Sequence, residues 1–359
     1  GRNGRPTVEF GVPDGTADEM TGTFTTATGD DATYFVVGNN QNVTPTSNGT
    51  KGRRAFADFS GSGTDTRIFI NETVVNYYDG SDERTGGTIT TGDYVLFDIT
   101  HTSSGAIEGQ LFGDAVIGPV NGNTKGLLKN YILGNDNTSA DNLDGNLAEV
   151  VVFDRILNEA ERLVVRNYLS SKYDLAFSTA ANDKYAYDGT YGFDVAGIGR
   201  ETSSDAHLSS NSSLLNISAA SFGGDDRYVF VGHDDGGAAS FGFEATEPVN
   251  GLSGNAERMA REWRADVSGV ATKTVTVSIE STDLPARSDA GYEYLLFVDS
   301  GDAFNTSPVA YTLQDDDGNG TLTADVELSD GDYLTIGAGR RVVSFDAATT
   351  SVFEDTGST

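Results

Sequence analysis

The chain has 359 residues, no cysteine and a formal net charge of −31 at pH 7. So negative a surface repels nucleic-acid phosphates and anionic lipid heads, which sets both aside as partners. Without cysteine there are no disulfides and no thiolate metal sites, and no apolar run approaches the roughly 20 residues of a membrane-spanning helix.

The length matches two domains, each able to bury its own core. Of the 23 basic residues, 17 are Arg and six are Lys. Scarce Lys beside abundant Asp fits a salt-adapted protein, whose carboxylates stay hydrated while salt screens their repulsion. An ordinary acidic extracellular bacterial protein fits equally well. The chain starts abruptly at GRNGRPTVEF with no signal peptide in view, so it reads as a mature or excised segment.

Strand signals fill the first half: ATYFVVG (32–38), TRIFIN (66–71), DYVLFDITH (93–101) and NYILG (130–134). These short β-branched and aromatic runs, separated by Gly, Asn, Asp and Thr, predict an antiparallel sandwich. A helix follows. Asn158 and Glu161 match the first and last positions of a capping box. Ala160, Leu163, Val164, Asn167 and Tyr168 then recur with helical period, leaving Glu159, Glu161, Arg162 and Arg166 to face away. One such helix beside a sandwich is expected to cover a sheet edge or open end, finishing the first domain and meeting the second.

The polar stretch STAANDKYAYDGTYG (178–192) reads as a linker or long loop. Strands resume with FDVAGIG (193–199), SLLNIS (213–218), RYVFVGH (227–233), KTVTVSIE (273–280), YEYLLFVD (292–299) and DYLTIGAG (332–339). The fold class is therefore all-β, with two tandem antiparallel sandwiches over 1–177 and 178–341. No short repeat period indicates a solenoid. Segment 342–359 alternates Val343, Phe345 and Ala347 against Val342, Ser344 and Asp346, as an extended strand would.

The segment LAEVVVFDRILNEAERLVVRNYLSSKYDL carries Ala148, Glu149, Val150, Arg155, Leu157, Glu161, Arg162, Tyr168, Leu169, Lys172 and Tyr173. This pattern resembles the closing segment of bacterial concanavalin A-like laminin G domains. RPTVEF resembles their opening strand, and YILGNDNTSADNLDGNLAEV their penultimate strand and loop. The resemblance covers about residues 1–176 and implies a jelly roll of two antiparallel sheets. The second half is similar to an uncharacterised β-rich domain that follows such domains in bacterial surface proteins. The tail VVSFDAATTSVFEDTGST resembles the first strand of a Calx-beta domain, which implies either the start of a further domain or a donated strand.

An enzyme reading lacks its residues. Some concanavalin A-like glycosidases align carboxylates on alternate positions of one strand, but here Glu149 is followed by Val151 and Phe153. The three histidines, His101, His207 and His233, stand in no triad or metal-ligand spacing, and each reads as a surface or hydrogen-bonded structural residue. Asp315, Asp317 and Asn319, followed by Gly320, match the opening of an EF-hand-like calcium loop. Its closing Glu is replaced by Val326, so the stretch also reads as an Asp/Asn/Gly-rich hairpin turn. A second acidic loop offers Asp136, Asp141 and Asp144; the laminin G resemblance implies calcium at a sandwich rim. Trp263 is the one tryptophan and reads as core of the second sandwich. The sequons at Asn42 and Asn71 are expected by chance in a chain this rich in Asn and Thr.

The reading is a non-enzymatic extracellular or cell-surface module, structural or adhesive, that requires no cofactor, with calcium at the acidic loops as the candidate ion. Its partners are neighbouring copies or other surface proteins. The alternative is a carbohydrate-binding module that takes glycans at rim loops. The charge makes one expectation direct: the melting temperature rises between low and about molar NaCl, because screening relieves self-repulsion. A flat or falling curve removes the salt-adapted reading; a rise reproduced by millimolar CaCl2 alone would point to specific sites instead.

Overall fold

The computed structural model describes residues 2–11, 18–28, 31–41, 53–61, 65–124, 128–136, 141–242, 256–305 and 308–340. Asn42 and the alternating segment 342–359 lie outside the described residues. The fold is all-β, built from antiparallel sheets with one long helix, α1 (Glu159–Tyr173).

The first half is a jelly roll of two six-stranded sheets. One runs, in spatial order, Val8–Phe10, Gly145–Phe153, Ala32–Asn40, Val95–His101, Ala106–Leu111 and Asp114–Asn121. The other runs Met20–Thr28, Leu128–Leu133, Arg53–Gly61, Thr66–Asn71, Val74–Tyr78 and Glu83–Thr88. Period-two alternation sends Tyr34, Val36, Phe97 and Ile99 into the core between them, with Phe56, Phe59, Ile68 and Tyr77 opposite. The intervening residues Phe35, Val37 and Leu96 are equally apolar and equally buried. Strand Ala32–Asn40 is therefore buried at every position, as a strand covered on both faces must be.

The cover on that outer face is α1. Leu169 and Tyr173, with Leu157 just before the helix, pack on Phe35, Val37 and Leu96. The capping box is formed: the Glu161 N–H donates to Asn158 Oδ1 and the Asn158 N–H donates to Glu161 Oε2, each at 3.0 Å. The opposite side of α1 is also buried. Ala160, Leu163 and Val164 pack against Val195, Tyr228 and Phe230 of the second half.

That second half again holds two sheets. The sheet touching α1 runs Ala206–His207, Phe193–Arg200, Arg227–His233, Trp263–Ser268, Tyr333–Gly339, Glu293–Asp299 and Val309–Thr312, with Glu257–Arg258 paired beside Tyr333–Gly339. Its partner runs Ser209–Ser210, Asn216–Ser218, Thr272–Glu280 and Thr321–Ser329. Trp263 is buried between these sheets with Val229, Val231, Val277 and Ile336, as its alternation predicts.

The molecule is thus layered sheet, sheet, helix, sheet, sheet. Two expectations need correcting. The helix covers sheet faces rather than an edge or open end. Arg162 and Arg166 do not face away: they are 3% and 0% exposed. Both reach Asp98, itself fully buried on strand Val95–His101; Arg162 Nη2 lies 2.7 Å from Oδ2 and Arg166 Nε 2.9 Å from Oδ1. Glu159 adds a contact of 2.9 Å to Arg166 Nη1. Helical period alone puts charges on a solvent face, but here a second sandwich occupies the place of solvent. Burial works against the charge on Arg166, yet Asp98 and Glu159 outweigh it and hold the guanidinium above its ordinary value.

Of the two readings of 178–192, linker or long loop, the stretch is a loop. It is packed rather than free: Tyr185 and Tyr191 are buried against α1, and a short helix, α2 (Asp188–Tyr191), forms within it. Asn167 of α1 holds it, donating to the Asn182 carbonyl and accepting from the Lys184 N–H, both at 2.9 Å. The one polar residue among those of helical period, Asn167, is the clamp that fixes this segment.

Removing Asp98 leaves two buried guanidiniums without their shared counter-charge, a change that costs about 3–5 kcal/mol when one partner of a buried pair is lost. Urea denaturation of Asp98→Ala is expected to show a loss of this size. A loss indistinguishable from that of an exposed Asp→Ala control would show that the pair is not what holds the layers.

Candidate functional site

The acidic candidates fall into two separate places. Asp315, Asp317 and Asn319 form an exposed turn leading into strand Thr321–Ser329. Their side chains are taken up by the turn itself: Asp315 accepts from the N–H groups of Gly318, Asn319 and Gly320, and Asn319 Nδ2 donates to Asp317 at 2.9 Å. Asp136 and Asp141 are buried in the first sandwich, 3.2 and 3.0 Å from Arg67 Nη1, while Asp58 meets Arg67 Nε at 3.1 Å. Arg67 is the cation of that cluster. Asp144 sits beside it within electrostatic reach of Arg54. Among the described residues no group of three or more His, Cys, Asp or Glu side chains is arranged to hold a metal.

The histidines have structural partners. His101 is fully buried; Tyr77 donates to its Nδ1 and its Nε2–H donates to the Asn123 carbonyl, both at 2.8 Å. His233 meets Asp194 and Ser213 in space. This trio is not wired as a nucleophilic triad. Ser213 Oγ donates to Asp194 Oδ2 at 2.5 Å, and His233 Nε2 lies 3.2 Å from the same oxygen. His233 Nδ1 accepts the Asp235 N–H at 2.9 Å, so no basic nitrogen faces the serine. Glu149 tethers the helix end, accepting from Lys172 Nζ at 2.8 Å and from the Tyr173 hydroxyl at 2.9 Å.

Two cavities stand out, one lined in part by residues just past the end of α1 and one by α1 itself. One, of about 690 Å³, lies near the chain start, lined by residues including Tyr94, Phe112 and Asp114. Two of its charged side chains are engaged by the chain: Asp114 accepts from Ser178 and Asn182, and Arg2 donates to the Tyr173 and Asp174 carbonyls. The other, of about 560 Å³, is a groove between α1 and the strands around Ala206–Ser210. One wall is Phe153, Val164, Val165 and Tyr168; the other carries Asp194, His207 and the run Ser209 to Ser213.

The groove exists because α1 bridges the halves. Asn158 Nδ2 donates to the Ala206 carbonyl at 3.2 Å, tying the helix cap to the groove's far side. Asp194 sits at a break in strand register between Phe193 and Ala196, with φ of 46°, a left-handed conformation uncommon for a residue other than glycine. Burial pushes its carboxyl up, but Ser213 and His233 overcome this and hold it below the ordinary value. Burial holds the His207 imidazole below its ordinary value, so it is neutral at pH 7. Sequence reasoning missed Asp194; its one signal, an Asp after an aromatic at a strand start, is common at turns.

A second acidic group was also missed. Asp266 accepts the Ala186 N–H at 2.8 Å and fastens the 178–192 stretch to the sheet. Burial, reinforced by Asp330 and Asp183, raises its carboxyl from 3.8 to about 6.

In sequence, the chain matches a domain of unknown function (DUF8202) over residues 162–332, from within α1 to just before the last strand. No curated protein matches it. Solved structures similar to it include a native heptameric SAP-like pentraxin from Limulus polyphemus, 10% identical, covering 42% of this chain and 76% of that one, with a TM-score of 0.34. A Trypanosoma rangeli sialidase in complex with sialic acid is 14% identical over 40% of this chain and 23% of its own, TM-score 0.32. Alginate lyase AlgAT5 from Polysaccharide Lyase family 7 is 13% identical over 42% of this chain and 83% of its own, TM-score 0.28. Among the described residues, no helix is long and apolar enough to cross a membrane.

Asp266 predicts a pH dependence. Its carboxyl is raised on folding, so ionisation opposes the fold above about pH 6 and the penalty fades as pH falls toward 4. Asp266→Asn should therefore stabilise the protein at pH 7 and leave it unchanged near pH 4, read as urea midpoints. Equal effects at both pH values would refute the assignment.

Proposed function

We propose that this chain is a non-enzymatic structural or adhesive module of a larger extracellular or cell-surface protein, its first half a laminin G-like jelly roll. The observation that carries this reading is the helix buried between two sandwiches. A layer buried on both faces joins the halves through a shared core, which suits a module that transmits load or presents surfaces at fixed spacing. The strongly acidic exterior suits a molecule facing solvent and salt rather than nucleic acid or anionic membrane.

A second reading, glycan recognition, is favoured by one specific feature: the groove beside α1 holds Tyr168 opposite an Asp194 carboxylate with one unengaged oxygen among the described residues.

The structural reading expects the two halves to unfold together. Trp263 fluorescence reports the second sandwich and hydrogen exchange at Ala32–Asn40 reports the first. Coincident transitions in urea support the reading, and two well-separated transitions count against it. A broad polysaccharide and ester panel should show no turnover; hydrolysis abolished by Glu149→Gln, Asp194→Asn or His233→Gln would make the protein an enzyme.

A further inference from the structure

We infer that the groove between α1 and the Ala206–Ser213 strands is a binding site for a neutral sugar, about a disaccharide in size, with Asp194 as its hydroxyl acceptor and Tyr168 as its stacking platform. This rests on the second reading above and gives it a place and a ligand class. The cavity of about 560 Å³ falls in the range that encloses small ligands.

The argument begins with what is left unused. Most polar groups around α1 are consumed by the fold. In the groove, Asp194 Oδ1, the His207 ring and the Ser209 hydroxyl make no hydrogen bond among the described residues. His207 comes no nearer a charged partner than 4.0 Å from Glu161. These are a charged acceptor, a neutral imidazole that can donate or accept, and a hydroxyl. Together they match a polyol, whose hydroxyls both donate and accept.

The acceptor is prepared in advance. Asp194 lines the groove in a strained backbone conformation, with Ser213 and His233 on one carboxylate oxygen and no hydrogen bond among the described residues on the other. Strain of this kind persists only where surrounding structure enforces it, and it gathers at functional positions. A carboxylate with one oxygen fixed offers the second without reorganisation, which lowers the cost of binding.

The opposite wall is equally fixed. The Tyr168 hydroxyl accepts from Lys172 Nζ at 2.9 Å, and Lys172 is anchored to Glu149. The ring, half-exposed beside Phe153 and Val165, presents an apolar face at a set angle. The pyranose C–H face is apolar and its edge is polar, so an aromatic wall opposite a hydroxyl-matching wall suits it. Charge selects among sugars. The Asp194 carboxylate lies within a chain of net charge −31 and repels uronic, sialylated and sulfated sugars.

The test uses the whole chain with cellobiose, lactose and N,N′-diacetylchitobiose as neutral probes and digalacturonic acid as the anionic one. Calorimetry and saturation-transfer NMR should find a neutral probe binding with Kd of about 1 mM or tighter. Asp194→Asn and Tyr168→Ala should each weaken it by about tenfold or more. Asn tolerates positive φ, so the first variant keeps the fold; melting curves verify both. Neutral-probe binding that both variants retain overturns the groove assignment while leaving glycan recognition standing. No binding by any probe overturns both. A preference for digalacturonic acid overturns the ligand class.

Discussion

Asp98 and the two arginines of α1 form the contact on which the layered architecture depends. Strand Val95–His101 sends Phe97 and Ile99 into the jelly-roll core and turns Leu96 and Asp98 outward. An aspartate there, fully buried, requires a cation, and α1 supplies two, one turn apart on the same face. Burying charges is costly, and a paired set is weak evidence of net stability against an apolar substitute. What the pair contributes is placement: an apolar helix could slide or rotate on Phe35, Val37 and Leu96, whereas two guanidiniums meeting one carboxylate admit one register.

Once α1 is placed, the second half follows. Its other face presents Ala160, Leu163 and Val164, small or branched side chains that receive Tyr228, Phe230 and Val195. Asn167 then fixes the 178–192 stretch, Tyr185 and Tyr191 fill the space beneath it, and Arg264 lies over the rings of Tyr187 and Tyr333 at 3.8 and 4.7 Å. The groove is the remainder of this docking. Where the helix surface and the Ala206–Ser213 strands diverge, Tyr168 and Asp194 are left facing the same space.

Much of this was legible beforehand. The strands at 32–38, 66–71 and 93–101, the capping box at Asn158 and Glu161, and Trp263 as core all follow from patterns that involve neighbours in sequence. The candidate acidic residues were legible as residues but not as partners. Nothing near Asp136 or Asp141 in the chain indicates that Arg67 lies between them, because a buried ion pair is made by residues distant in sequence. Asp194 was invisible for the same reason: Ser213 lies 19 residues away and His233 39.

By itself the sequence determined the element types, the all-β class, the helix and its cap, and a surface charge that governs which partners are acceptable. These depend on periodicity, local hydrogen bonding and composition, each readable within a window of a few residues. Only the tertiary structure decided that α1 is an interior layer, that Arg162 and Arg166 are buried, and that the polar stretch after it is packed. A helix's period tells which residues share a face but not what that face meets. Solvent and a second sandwich impose the same period, and only the meeting of distant strands distinguishes them.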